Sequence, residues 1–182
     1  PIVGLLSLAS CLSVSVLSPL NVMHPQLESI FDEAESRYLK PEELTVLSQY
    51  VDSLPARLIA YRTLRDRELE IMQKVADQLQ VAMPQESIEN LERAIKNALL
   101  TLRYCAMGLL LNDESFVKDR LMSWLGGTMR LYNNAAINTT LYRLLNQELT
   151  AVLDAQSINL LSPYLILAQT LMHENAPEMA SV

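Results

Sequence analysis

The chain has 182 residues, enough for one domain with a sizeable core, and carries a formal net charge of −7. That acidity speaks against nucleic-acid binding, which needs a surplus of Lys and Arg on one face. Half of the residues are hydrophobic, yet only 5% are aromatic and four are glycine. With Leu dominant and no short alternating runs of Val and Ile, the composition predicts packed helices, an all-α fold. The two cysteines, Cys11 and Cys105, are too few for a disulfide framework. No CxxC and no Cys/His cluster occurs, so no structural zinc site is expected, and the cysteine usage fits a reducing, cytosolic setting.

Residues 1–22, PIVGLLSLASCLSVSVLSPLNV, carry no charged side chain. Three readings stay open for them: a signal peptide lacking its basic n-region, a weak membrane-associating segment, or an apolar extension ahead of Met23. Residues 23–182 read as the domain proper. His24-Pro25 opens a first amphipathic segment with Leu27, Ile30, Phe31 and Ala34 at helical spacing. Lys40-Pro41 ends it, and Pro41 suits the first turn of the next helix, whose stripe is Leu44, Leu47, Val51 and Leu54. Pro55 predicts a boundary or kink, with Ser53 as a candidate cap. From Ala56 to Gln80 the pattern is helical. Leu64, Ile71, Met72, Val75 and Leu79 mark its buried side, and Arg65, Asp66, Arg67, Glu68 and Glu70 its wet side.

Residues 81–90 read as a loop into a helix over about Ile88–Leu111. Asn112-Asp113 stops that helix, and Asp113 can cap the next, which carries Phe116, Val117, Leu121, Trp124 and Leu125. Gly126-Gly127 and the turn formers Asn133, Asn134 and Asn138 punctuate the chain before a helix starting at Thr139 or Thr140. Ser162-Pro163 predicts the start of a last helix reaching about Met172, with 174–182 as a frayed tail. The expected sum is seven or eight helices and no strand.

The residues offer little chemistry. His24 and His173 are the only histidines, and neither sits mid-helix in a pocket-forming register, so haem is not expected. There is no Glu-x-x-His pair for a di-iron centre, no G-x-S-x-G, no Ser/His/Asp set and no Gly-rich phosphate loop. No enzyme and no metal site are predicted, and no residue is assigned a catalytic role.

Three stretches carry a resemblance. RAIKNALLTLRYCAMGLLLNDESFVKDR at 93–120 is similar to the segment that grips the bilin in phycobiliproteins, the light-harvesting globin-like proteins of cyanobacteria and red algae. LKPEELTVLSQYV at 39–51 resembles that family's lead into its first globin helix. Thr128-Met129-Arg130-Leu131-Tyr132 loosely resembles its "R-E-T-Y" turn. The resemblance implies a globin-like (phycocyanin-like) fold of seven to eight helices, with N-terminal helices that clasp a second subunit. Leu27, Ile30, Phe31 and Ala34 would then be interface residues.

The same resemblance places a degenerate pigment site at Ala94, Lys96, Asn97 and Arg103. Ala94 stands where the family has the cysteine that forms the thioether. Lys96 replaces an arginine that holds a propionate, and Asn97 replaces the aspartate that accepts the pyrrole hydrogen bonds. Cys105, about three turns along the helix, reads as a core thiol rather than a substitute anchor.

A covalent bilin is therefore not expected. The first functional expectation is a pigment-free interaction protein of phycobilisome structure, assembly or regulation. Its partner would be a second copy or a phycobiliprotein-like subunit in the cytoplasm, at the cytoplasmic face of the thylakoid membrane. Two alternatives remain open: a carrier or sensor that holds a tetrapyrrole without a covalent bond through Lys96 and Arg103, and a membrane-linked protein attached through residues 1–22.

Overall fold

The computed structural model of the chain describes residues 25–34, 37–125 and 135–174. These hold six α-helices and no strand: α1 Pro25–Glu33, α2 Pro41–Ala82, α3 Ile88–Leu111, α4 Glu114–Leu125, α5 Ala135–Val152 and α6 Ala155–Glu174. The all-α expectation holds, and the architecture is consistent with a globin-like fold. The seven or eight expected helices become six among the described residues. Gly126, Gly127, residues 128–134, the tail 175–182, His24, Cys11 and residues 1–22 lie outside them, as does the Trp124 side chain.

The chain divides into two compact units, residues 1–47 and 48–182. In the first, α1 buries Leu27, half-buries Ile30 and Ala34, and leaves Phe31 41% exposed. Pro41 occupies the first turn of α2, where its missing N–H costs nothing. Glu43, two residues on, accepts from Lys40 N at 2.7 Å and from Arg37 Nη1 and Nη2 at 2.8 and 2.7 Å. The Arg37 bond, then the Lys40 amide, hold the Glu43 carboxyl down at about 2. One carboxylate thus seals the start of α2 and anchors the link before it.

In the second unit the predicted stripe of α2 is the observed one. Leu64, Ile71, Met72, Val75 and Leu79 are all buried, while Val51, from the N-terminal stripe, is half exposed. α3 is the central element and packs on α4, α5 and α6; α4 and α5 also pack on α6. Its ends follow from local chemistry. Ser87 Oγ accepts from Asn90 N at 3.2 Å. Asn112 adopts a left-handed conformation (φ 57°, ψ 43°) that turns the chain. Asp113 Oδ1 then accepts from Ser115 N at 2.8 Å and Phe116 N at 3.3 Å, capping α4 as its sequence position predicts.

Three expected boundaries are corrected. Pro55 does not divide α2, which runs unbroken through it. One residue from Val51, whose carbonyl the proline cannot serve, Tyr50 O takes extra donors: Ser53 Oγ at 2.9 Å and Arg57 Nη2 at 2.8 Å. Likewise Pro163 lies inside α6. That helix starts at Ala155 because Asp154 caps it, accepting from Ser157 N at 2.7 Å. Thr139 and Thr140 do not begin α5; their hydroxyls donate back to Ala135 O at 2.8 Å and Ala136 O at 3.2 Å from within its first turns.

Candidate functional site

Helix α3 carries the four positions that the pigment site would use. Ala94 is partly buried against the core, Lys96 is exposed and Asn97 is half-buried. At 3.6 residues per turn, Lys96 and Arg103 share one side of α3, while Asn97 lies about a third of a turn away and Ala94 about half a turn. Helical spacing therefore brings these residues together in two pairs rather than one cluster.

On the Lys96 side, Arg103 is occupied. Its Nε and Nη2 donate to the two carboxylate oxygens of Glu68 on α2, at 2.8 and 2.7 Å. The Glu68 bond raises the guanidinium pKa further and fixes a planar, bidentate pair. A propionate arriving at Arg103 meets a guanidinium whose Nε–Nη2 edge already holds that carboxylate. The pair borders a shallow groove of about 290 Å³ whose floor is Leu64, Leu102 and Ala106. About a third of a turn round the helix, Asn97 O accepts from Thr101 Oγ1 at 2.9 Å, and Thr101 is fully buried.

Cys105 is fully buried. Its Sγ donates to Tyr164 O at 3.4 Å, and desolvation pushes the thiol up to about 12. A thiol so far from thiolate formation is a poor nucleophile. Desolvation likewise raises Tyr142, whose hydroxyl donates to Met172 Sδ at 2.9 Å, and pushes Tyr164 up to about 12. The Cys105 thiol and the Tyr142 hydroxyl thus each have a partner within the core.

Two residues with strong structural roles escaped the sequence reading. Arg57 is 1% exposed. It donates to Leu110 O at the end of α3, to Tyr50 O and to Ser53 Oγ, and its guanidinium lies 4.4 Å from the Tyr50 ring centroid. A buried cation solvated by carbonyls and an aromatic face thus ties α2 to the C-terminal turn of α3. The signal was an arginine set among apolar neighbours just after Pro55. Gly108 is the second. A Cβ there would overlap Val117 Cγ2 and lie 3.1 Å from both Asp113 O and Tyr164 Cδ1, so only hydrogen lets α3, α4 and α6 meet.

Among the described residues no group of three or more His, Cys, Asp or Glu side chains is placed to hold a metal. His173, the one described histidine, is exposed near the end of α6. The described residues form an all-α arrangement whose buried polar side chains all have hydrogen-bond partners. Residues 31–171 match the Phycobilisome protein family, and the chain belongs to it. This is a non-enzymatic light-harvesting family. Its members typically bind bilins and assemble with phycobiliprotein subunits. No curated protein matches the chain.

Proposed function

We propose that this chain is a pigment-free member of its family that acts by association, pairing with a second copy or with a phycobiliprotein-like subunit in the structure, assembly or regulation of the phycobilisome. The observation that carries this reading is Ala94, a methyl group at the position where the family resemblance puts the anchoring thiol. Cys105 gives no replacement, being fully buried and held as a neutral thiol. Residues 23–182 are the functional domain in this reading, with 1–22 an extension to it, at the cytoplasmic face of the photosynthetic membrane.

Pairing runs through α1. Phe31 is its exposed apolar residue, Ile30 and Ala34 flank it half-buried, and Leu27 supports the helix from beneath. Size-exclusion chromatography with light scattering, on the chain alone and mixed with phycobiliprotein subunits, tests this. The reading expects a dimer or a one-to-one complex that Ile30→Glu/Phe31→Glu dissociates. A strict monomer that ignores every added subunit overturns it.

The alternative, a non-covalent tetrapyrrole held by Lys96 and Arg103, is weakened by the Glu68 carboxylate already on Arg103. Mixing the protein with phycocyanobilin and recording the visible spectrum separates the two readings. The interaction reading expects no shifted band, and a saturable shift would favour the alternative.

A further inference from the structure

A second concavity lies away from the positions just described. It runs between the outer face of α5 and the C-terminal half of α6 and encloses about 750 Å³. That is within the range of clefts that hold small organic ligands, about 300–1,000 Å³. Tyr142 and Met172, both buried, form its floor, joined by the hydroxyl-to-thioether bond at 2.9 Å. Arg143, Asn146 and Gln147 line it from α5, and His173 from α6. No Asp or Glu lines it among the described residues.

The described arginines fall into two groups, and Arg143 belongs with Arg57, Arg62 and Arg120, which have no ion pair among the described residues. Arg37, Arg65, Arg67, Arg93 and Arg103 each pair with a carboxylate. Arg143 has no ion pair among the described residues; its Nη1 donates to Gln147 Oε1 at 3.2 Å. A guanidinium has five N–H donors and binds planar oxyanions in a forked geometry. The cleft therefore combines an aromatic and thioether floor, amide walls and an arginine with no ion pair among the described residues. We propose that this cleft binds an amphipathic organic anion, its flat apolar body on Tyr142 and Met172 and its carboxylate or sulfonate on Arg143. The inference goes beyond the pairing reading and does not depend on it.

The test uses the full chain and 8-anilinonaphthalene-1-sulfonate, a flat aromatic anion that fluoresces when shielded from water. The proposal expects saturable one-to-one binding. Arg143→Gln should weaken it at least about fivefold, Arg143→Lys less, because lysine keeps the charge and loses the fork. Ile166→Ser, which removes an exposed apolar side chain outside the cleft, should leave it unchanged. Amide ¹H–¹⁵N shifts on titration should concentrate at 139–150 and 169–173. Thermal denaturation confirms that Arg143→Gln folds as the parent does, as an exposed position should. Three results overturn the proposal: no saturable binding below about 100 μM, equal affinity of Arg143→Gln, or shifts centred elsewhere.

Discussion

Gly108→Ala sets two effects of opposite sign against each other. In a helix interior alanine is favoured over glycine by about 1 kcal/mol, so on propensity alone the change stabilises. The environment reverses the sign. The added methyl overlaps Val117 Cγ2, on a β-branched side chain with little rotamer freedom, and meets the Asp113 carbonyl oxygen at 3.1 Å, a backbone atom that cannot turn aside. Tyr164 closes the third side, also at 3.1 Å. Overpacking of this kind costs roughly 1–3 kcal/mol, and contact with backbone favours the upper half of that range. The net expectation is a loss of about 1–2 kcal/mol, equivalent to roughly 2–8 °C in Tm for a chain of this size. Urea denaturation followed by far-UV circular dichroism reads it directly. Val117→Ala should soften the penalty, giving a coupling of about 1 kcal/mol between the two sites. A Gly108→Ala protein as stable as the parent, or more so, would refute the close approach of α3, α4 and α6.

Other expectations follow from buried and paired groups. Cys105 should resist iodoacetamide at pH 8 in the native chain and react once unfolded, as peptide mapping by mass spectrometry shows; rapid native labelling contradicts its burial. The Glu43 carboxyl, held at about 2 against an ordinary 4.5, should return toward 4.5 in Arg37→Gln, measured by carbon-detected NMR titration. Because its folded value is depressed, the stabilisation it gives is present above pH 4.5 and fades as the pH falls toward 2. Arg57→Met should cost about 2 kcal/mol in urea denaturation, since it strips charged donors from two part-buried carbonyls, Tyr50 O and Leu110 O. An unchanged midpoint would show that the arginine is dispensable.

Local chemistry was readable in the sequence and distant chemistry was not. Asn112 and Asp113 mark helix ends because a cap needs only residues within one turn. The buried stripe of α2 was equally plain, since its period follows from helical geometry alone. Pro55 and Pro163 misled because a proline's effect on a helix depends on the packing around it. Beside Pro55 that includes Arg57, one of whose partners, Leu110, lies 53 residues away. Asp154 was overlooked because Ser162-Pro163 gave the stronger local signature. In the candidate site, Ala94 was legible through family resemblance, but the Glu68 that occupies Arg103 is 35 residues distant in sequence, and no spacing rule links them. Gly108 reads as a weak helix residue until the neighbours that require it are in place.

The most direct test of the central claim is the state of the purified chain after expression in a host that makes bilins and bilin lyases. Intact mass and visible absorbance together decide it. The account predicts the mass of the unmodified polypeptide and a colourless protein. A thioether-linked bilin, seen as added mass and a long-wavelength band that survives denaturation, would contradict it.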